Sequence, residues 1–599
     1  MRYVCIHFTK NFARTFFGAY YDPASIVTAA WDDDSDIRLS DACFTFEQIR
    51  KALPADWTPD MIWVWSPEHN GNPAGLFRSG IPVIGLVNDW KTGIEHLQTS
   101  AACYDYIFTE QKGVELLRRL GCRNAGYVPL HGFHSALHPR EITPGSERDI
   151  DVSAFIEPHR LREPDIAYWL KKLCALREQG ILVQIHSMPE HSPARMDLMN
   201  RSSIVLERSS RGEVSRSAYE AAAAGALLMH EDGNTEAELL WQPFIDYVPY
   251  TEANFTALIQ TYLQNSAARA AIALSGQTAV REHGSYTRHF ELMSTMLQQQ
   301  LDPESKPAHA RFQNRPHELL RAELIQLYSA IKGRTHAQLD RLLAQHPEPA
   351  EASEKTWLLN AAGCIRMMRL DEDEVTQKQQ AQVLHDSMND WNAALQHDPA
   401  AVIPAFNRLG AMSITGNPDT VLQLFEDFKS RCLNASPARK SFEGLLLPAG
   451  MEDVCLERSL ILAEYAVMHE TINRLCTLLL SKAYAFKGKA HMARSEWQLA
   501  YDAYRDSLAC RPSSAEARYQ LAVAANKLRL PDETANQLKL TLQYAPFHWN
   551  AVLNLCSLYR HLGKQEDSKQ LAREYRHVAL SVPAFEKWLE QLTPYVDNR

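Results

Sequence analysis

The chain has 599 residues, 45% of them hydrophobic and 22% charged, which is typical of a globular protein with roughly three or four domains. A net charge of −10 argues against a nucleic-acid-binding protein, and the longest apolar run, Ala221–Met229, is too short to span a membrane. The 11 cysteines form no CxxC pair, which favours reduced thiols and a cytoplasmic protein.

The chain begins with MRYVCIHF, which predicts a β-strand rather than a signal peptide. Apolar strand patterns then alternate with helical patterns to about residue 250. A first set of predicted strands covers Tyr3–Phe8, Met61–Trp65, Val83–Val87, Tyr106–Thr109 and Gly126–Pro129. A second set covers Asp151–Ile156, Leu182–His186, Ser203–Leu206, Ala226–His230 and Asp246–Pro249. The predicted helices between them include Gly113–Leu120, Asp165–Gln179 and Phe255–Gln264.

This alternation predicts two doubly wound, Rossmann-like α/β domains, at residues 1–140 and 141–300. Ligands in such folds bind beyond the carboxyl ends of the strands, so the loops there are expected to surround one cleft. The segment SRSAYEAAAAGALLMHE within the second domain is the most informative. Ser215 begins a helix that carries Arg216 and Glu220, Gly225 ends it with a left-handed turn, and a strand follows.

Strand patterns vanish from about residue 310, and helical repeats take their place. Pro512 and Pro546 lie 34 residues apart, which is the period of tetratricopeptide repeats (TPR). Small and large residues recur at the positions where paired helices touch: Gly488, Ala500 and Tyr504 in one repeat, then Ala522 and Leu538 in the next, and Asn407–Phe425 is expected to form an earlier helix pair. We therefore expect a TPR-type α-solenoid over 310–599, whose concave face binds a protein partner.

The first half resembles a known family. Residues 149–173 (DIDVSAFIEPHRLREPDIAYWLKKL) and the later run MDLMNRSSIVLERSSRGEVSRSAYEAAAAGALLMHE are similar to the second domain of CgeB-like, spore-maturation-type glycosyltransferases. That resemblance covers about residues 60–300 and implies the GT-B fold, with the acceptor on the first domain and a nucleotide-sugar on the second. It implies nucleotide-sugar binding by Arg160 or Arg162, Arg216, Glu220 and Gly225, with the glutamate accepting ribose hydroxyls.

Two departures from related enzymes bear on mechanism. Many retaining GT-B enzymes have a glutamate eight residues before the second one, but position 212 is glycine and Glu213 lies one residue off, so the stereochemical outcome stays open. The loop after the first strand, TKNFARTFFGAYYD, also lacks the glycine pair that often cradles phosphate in such enzymes. We predict a metal-independent enzyme, in which arginines rather than a metal held by a D-x-D pair neutralise the leaving diphosphate. An inverting mechanism needs a base in the first domain, for which Asp89 and His69 are the candidates.

The clustered histidines His131, His134 and His138 match no zinc pattern, so neither a metal nor another cofactor is expected beyond the nucleotide-sugar co-substrate. The favoured function is transfer of a sugar from that donor to a protein or glycan acceptor, with a protein acceptor recruited by the TPR domain. The alternatives are a non-catalytic TPR interaction scaffold with a degenerate GT-B domain, and a sugar-nucleotide epimerase. The change of pattern near residue 300 also predicts that a fragment ending near Gln300 folds on its own.

Overall fold

The computed structural model describes residues 1–39, 45–90, 97, 100–119, 122, 124–133, 148–156, 161, 164–186, 193–209, 212–301, 307–312, 320–324, 339, 343–344, 351–367, 376–415, 417–434 and 468–596. The chain divides into two compact units. The first unit combines residues 1–130 with 290–511, and the second combines 131–289 with 512–599. Each unit therefore joins one β-sheet to part of the helical second half.

A seven-stranded parallel sheet forms the core of the first unit. Its strands are β1 (Tyr3–Ile6), β2 (Ile26–Ala30), β3 (Ile37–Arg38), β4 (Met61–Trp65), β5 (Val83–Val87), β6 (Tyr106–Thr109) and β7 (Ala125–Tyr127), in the order β3-β2-β1-β4-β5-β6-β7. The helices among them are α1 (Lys10–Phe17), α2 (Phe46–Ala52), α3 (Pro67–Asn70) and α4 (Gln111–Arg119). The sequence did not indicate β2 and β3, because IVTAA is short and leads directly into the acidic, loop-like run WDDDSD.

A five-stranded parallel sheet forms the core of the second unit. Its strands are β8 (Ile150–Phe155), β9 (Val183–His186), β10 (Ser202–Glu207), β11 (Leu227–Glu231) and β12 (Val248–Tyr250), in the order β12-β11-β10-β8-β9. The helices are α5 (Pro164–Cys174), α6 (Pro193–Arg201), α7 (Arg216–Ala223), α8 (Thr235–Leu240), α9 (Phe255–Gln264) and α10 (Ser266–His283). All ten strands expected from the sequence are confirmed, each within two residues of its predicted ends.

Helix α11 (Tyr286–Gln300) passes from the second unit into the first. Its Phe290 ring lies 4.7 Å from the ring of Phe17 and 5.8 Å from that of Trp63, so the helix covers the aromatic core of the first sheet. Farther along, a Cβ atom added to Gly126 would come within 2.6 Å of Met296, which explains a glycine in β7. Residues 290–300, which follow the second sheet in the chain, therefore pack onto the first sheet.

The helical second half is confirmed as pairs of helices. Those described are α12 (Ala352–Met367), α13 (Gln377–His397), α14 (Val402–Thr415), α15 (Pro418–Asn434), α16 (Met468–Ala493), α17 (Trp497–Cys510), α18 (Ala515–Lys527), α19 (Pro531–Tyr544), α20 (Trp549–His561), α21 (Gln565–Ser581) and α22 (Leu589–Val596). Helices α17, α19 and α21 begin 34 residues apart, as do α18 and α20. A Cβ at Gly488 would lie 2.8 Å from the Tyr504 ring, so this glycine lets α16 approach α17 as the sequence indicated.

The last helices share a hydrophobic core with the second sheet. Lys171 on α5 pairs with Glu574 on α21 at 2.8 Å, and its ammonium lies 4.7 Å from the ring of Tyr575. Tyr575 is fully buried in this core. Residues 512–599 contribute to the core of the second unit, so a fragment ending near Gln300 would expose apolar surface that the last helices cover. This contact argues against the expectation that such a fragment folds alone.

Among the helices that the structure describes, none is both long and apolar enough to cross a membrane.

Candidate functional site

The carboxyl edge of the second sheet contains a topological switch point. From β8 the chain continues to β9 on one side, and it then returns to β10 on the other side of β8. Ligands of open parallel sheets bind outside the carboxyl ends at such a point. Phe155, His186 and Glu207 end the three strands concerned, so this edge is the candidate donor site.

Glu220 lies in the middle of α7 and has a buried partner that the sequence did not indicate. Its Oε2 accepts a hydrogen bond from Arg195 Nε over 2.9 Å, and the side chains are 0% and 6% exposed. Arg195 also donates to the Ser217 hydroxyl, and its guanidinium lies 4.8 Å from the centre of the Phe155 ring. The helix α7 is thereby joined to α6 and to the end of β8 by one buried cation.

His186 lies beside this ion pair at the end of β9. It is 8% exposed, and its ring centre is 5.3 Å from that of Phe155. Burial, with smaller contributions from Arg195 and Arg201, lowers the pKa of His186 to about 4. The imidazole is therefore neutral at pH 7, and no described residue hydrogen-bonds to its Nε2. The sequence analysis did not identify His186 or Arg195 as site residues. The features that could have indicated them are a histidine at the end of a strand and an arginine in the first turn of the next helix.

The amino end of α7 is engaged by protein carboxylates. Ser215 caps the helix by accepting a hydrogen bond from Ala218 N and donates its hydroxyl to Glu207 Oε2 over 2.7 Å. The amide of Val214 donates to Glu236 Oε2 over 3.2 Å. Because the carboxylates of Glu207 and Glu236 lie at the amino end of α7, they offset the partial positive charge of the helix there.

Glu231 adds a fixed negative charge at the end of β11. It accepts hydrogen bonds from Ser209 N at 2.9 Å and from Asn234 Nδ2 at 3.2 Å, and it lies 2.9 Å from His230 Nδ1. Burial raises the pKa of Glu231, but the His230 charge and these hydrogen bonds outweigh it and hold the pKa at about 2. This carboxylate therefore stays ionised at pH 7, and its negative charge favours cationic groups nearby.

Arg216 begins α7 and is 7% exposed. Its Nε donates to the hydroxyl of Tyr286 over 3.0 Å, which fixes the guanidinium between α7 and the start of α11. Arg160 and Arg162 fall outside the described residues, as do His134 and His138 of the predicted histidine cluster. Arg216 is thus the candidate diphosphate ligand whose geometry the structure describes.

Gly225 lies at the far end of α7 from Ser215, next to the amino end of β11. Its φ of 66° is the left-handed conformation that the sequence suggested, and its carbonyl accepts from Arg148 Nη2 over 2.8 Å. Arg148 also binds the carbonyls of Ala224, Ser202 and Met199. Gly225 therefore ends the helix at the edge of the sheet opposite to the candidate donor site.

The first sheet has its own switch point, between β1 and β4. His7 follows β1 and Ser66 follows β4, and both have positive φ values, 65° and 45°. Non-glycine residues in this conformation are strained, and such strain concentrates at functional sites. His7 Nε2 lies 2.8 Å from the carbonyl oxygen of Gly71, which joins the end of β1 to the residue that follows α3.

The two predicted bases lie together at this edge. His69 Nε2 is 3.5 Å from Asp89 Oδ2, with the His69 side chain 51% exposed and that of Asp89 9%. Asp89 follows β5 and His69 lies on α3, so two neighbouring strands supply the pair. An exposed imidazole beside a buried carboxylate has the arrangement of a base and the group that orients it.

The amino end of α1, which follows β1, is closed to a phosphate. Lys10 N and Asn11 N donate to the carbonyl and the carboxylate of Asp34, over 2.6 and 2.9 Å. Phe12 N donates to Thr9 Oγ1 over 3.1 Å. These contacts agree with the missing glycine pair in the loop after the first strand. Among the described residues there is also no group of three or more His, Cys, Asp or Glu side chains placed to hold a metal ion.

Comparisons with known proteins concern the middle of the chain. Residues 170–295 match the family model described as "Glycosyl transferase-like". No curated protein matches the chain. Among solved structures, an alpha-glucosyltransferase (AGT) in complex with UDP is 9% identical, with a TM-score of 0.38 over 50% of this chain and 100% of its own.

Two further structures are similar over different lengths. Anabaena Alr3699/HepE in complex with UDP is 12% identical, with a TM-score of 0.36 over 50% of this chain and 100% of its own. MamA is 15% identical, with a TM-score of 0.24 over 36% of this chain and 92% of its own. At such TM-scores the fold assignment rests on the chain's own strands and helices. The family match covers most of the second sheet and all of α7, and it identifies a glycosyl transferase-like domain in the middle of this chain.

Proposed function

We propose that the protein is a metal-independent GT-B glycosyltransferase of the CgeB-like type, which transfers a sugar from a nucleotide-sugar to an acceptor. The observation that carries this proposal is the match of residues 170–295 to a glycosyl transferase-like model, because that segment contains the helix with Arg216 and Glu220. The two parallel sheets, each with a switch point, support the two-domain arrangement. The proposed domains are residues 1–140 for the acceptor, 141–300 for the donor and 310–599 for the helical repeats.

We assign donor binding to the carboxyl edge of the second sheet. Glu220, held by Arg195, accepts hydrogen bonds from the ribose hydroxyls, and Arg216 with Arg160 or Arg162 neutralises the diphosphate. A planar guanidinium binds phosphate oxygens in pairs, which suits a site without a metal. Gly225 contributes by ending α7 rather than by contact with the donor.

We assign activation of the acceptor to His69, with Asp89 orienting it. The neutral imidazole takes the proton of the acceptor hydroxyl, and that oxygen bonds to the anomeric carbon of the sugar. The bond from this carbon to the diphosphate breaks, and the nucleoside diphosphate leaves with the electron pair. A base acting directly on the acceptor implies inversion at the anomeric carbon.

We propose that the helical half is a TPR-type solenoid that recruits a protein acceptor. The 34-residue spacing of helix starts and the contact of Gly488 with Tyr504 support this assignment. Stacked helix pairs of this kind present a concave surface to a partner. A cytoplasmic location belongs to the same proposal and is supported by the cysteines described, which are free thiols.

One observation favours the scaffold alternative. Glu220 is 0% exposed in its pair with Arg195, whereas a ribose contact requires an accessible carboxylate oxygen. In that case the Arg195–Glu220 pair is purely structural, the first half is a degenerate GT-B domain, and the repeats carry the function.

Calorimetric titration of the full chain with a panel of nucleoside diphosphates and their sugars separates the two functions. We expect one nucleotide to bind, and Glu220→Ala to weaken that binding by about 1–3 kcal/mol, the cost of a lost hydrogen bond to a charged group. Glu252→Ala serves as the control, because Glu252 is a half-exposed carboxylate paired with Arg208 and Lys172. Absence of binding across the panel supports the scaffold.

A further inference from the structure

The residue before His69 contacts the loop that carries Asp89. Glu68 is 4% exposed, and its Oε1 accepts hydrogen bonds from the backbone amides of Asn88 at 2.9 Å and of Asp89 at 2.8 Å. One carboxylate oxygen thus fixes the start of the loop after β5. Glu68 also directly precedes His69 in the chain, so it contacts one member of the His69–Asp89 pair through the backbone and the other through its side chain.

A buried carboxylate is costly, so its presence requires a compensating role. Burial raises the pKa of Glu68, while the charge of His69 and the hydrogen bond from Asp89 N lower it. No described residue hydrogen-bonds to its second oxygen, Oε2. The two hydrogen bonds from the amides of Asn88 and Asp89 to Oε1 are therefore the contacts that offset the cost of burying this carboxylate.

The turn that carries Glu68 is itself held firmly. Ser66 accepts a hydrogen bond from Asn88 Nδ2 over 2.6 Å, and Ser66 N donates to Leu86 O over 2.8 Å. These bonds place the turn against β5, but neither of them reaches the backbone of Asp89. Among the contacts described, the amide of Asp89 is fixed by Glu68.

We propose that Glu68 is a positioning residue for the His69–Asp89 pair, which sets their separation by holding the backbone of Asp89. This proposal rests on the function assigned to His69. Because the side chain of Glu68 spans from the His69 turn to the Asp89 amide, its length determines how far the carboxylate of Asp89 lies from the imidazole. Loss of the contact lets Asp89 move away, and the base loses its orienting partner.

Two substitutions separate this role from the charge of Glu68. In Glu68→Gln the amide oxygen still accepts both backbone hydrogen bonds, and we expect kcat within about threefold of the wild type, since the geometry that sets the rate is kept. In Glu68→Ala both bonds are lost, and we expect kcat to fall about tenfold to a hundredfold while the donor KM is unchanged. Should Glu68→Ala not fold, Glu68→Asp, which is one methylene shorter, replaces it with the same expectation.

Asp105→Ala is the matched control. Asp105 is 6% exposed and also accepts two backbone amides, from Val83 at 2.7 Å and Ala308 at 2.6 Å. It precedes β6, and Val83 is the first residue of β5, so this carboxylate lies at the opposite edge of the same sheet. We expect Asp105→Ala to lower the melting temperature but to leave kcat per folded molecule unchanged.

A second readout does not depend on activity. The negative charges of Glu68 and Asp89 both act on His69 and stabilise its imidazolium, so losing either lowers the pKa of His69. Removal of the Glu68 charge is common to both variants. We therefore expect NMR titration to give a lower pKa of His69 in Glu68→Ala than in Glu68→Gln.

Equal kcat and equal His69 pKa in the two variants would overturn the positioning role, and so would a kcat loss in Asp105→Ala that matches Glu68→Ala. If the wild type transfers no sugar, the proposed function fails, whereas the NMR comparison still decides whether Glu68 sets the position of Asp89.

Discussion

Arg195 Nε and Glu220 Oε2 lie 2.9 Å apart with both side chains almost fully removed from solvent. The pair connects α6 to α7 beneath the candidate donor site, and Ser217 and Phe155 complete the surroundings of the guanidinium. A buried ion pair of this kind is costly to break, because the remaining charge has no substitute partner.

Arg195→Ala is therefore expected to lower the free energy of unfolding by about 3–5 kcal/mol. The control on the same helix is Arg201→Ala, since Arg201 pairs with Asp149 at the exposed surface and should change stability little. Urea unfolding followed by circular dichroism measures both. The double change Arg195→Met with Glu220→Leu should be less damaging than Arg195→Ala, because it leaves no unpaired charge. Equal stability of the two single variants would contradict this account of the pair.

The shared core predicts that the last helices stabilise the second sheet. Tyr575→Ala in the full chain should cost about 3–5 kcal/mol and raise hydrogen exchange in β9 and α5, which contact α21. Tyr168→Ala, which removes a half-exposed ring from the same region, should leave the exchange unchanged. Faster exchange confined to α20–α22 would show that the second sheet does not depend on these helices.

Acidification is expected to destabilise the protein between about pH 6.5 and pH 4. His7, His186 and His289 have pKa values lowered to about 4, chiefly by burial, while the same groups in the unfolded chain titrate near 6.5. Below pH 6.5 the unfolded state binds protons that the folded state does not, so stability is lost as pH falls through this window. His186→Gln should reduce the slope of the unfolding free energy against pH by about the amount that corresponds to one bound proton. An unchanged slope would mean that His186 is not buried neutral.

Arg216 is expected to act on the leaving group through its charge and its shape. Tyr286→Phe removes the hydrogen bond to Arg216 Nε but keeps the guanidinium, so we expect a smaller loss of kcat than in Arg216→Ala. Arg216→Lys should recover part of the activity, because an ammonium lacks the paired donors. Steady-state kinetics on the three variants gives the order. Equal losses in all three would indicate that Arg216 serves only to hold α11.

The periodicity of the sequence was sufficient to predict the strands of both sheets except β2 and β3. Val83–Val87 and Met61–Trp65 were predicted residue for residue, because apolar runs between helices are typical of buried parallel strands. The 34-residue spacing likewise located α18 and α20. The partners of the site residues were not predictable. Arg195 meets Glu220 across 25 positions of sequence, and no local pattern encodes that contact.

The packing of the last helices against the second sheet was hidden for the same reason. Lys171 lies on α5 and Glu574 on α21, so their ion pair joins two segments that are far apart in the sequence. Helical periodicity indicates that α21 has an apolar face, but it does not say which surface covers that face. The pairing of His69 with Asp89 was closer to prediction, because both follow neighbouring strands of one sheet.

The most direct test of the account is release of nucleoside diphosphate from a panel of nucleotide-sugars by the full chain in the presence of EDTA. The account predicts that one donor is consumed, that chelation leaves the rate unchanged, and that Arg216→Ala lowers it about a hundred- to a thousandfold, as for other preorganised charge-stabilising groups. Loss of activity on chelation that magnesium or manganese restores would contradict the arginine-based clamp, and no release from any donor, across a broad acceptor panel, would contradict the assignment as a glycosyltransferase.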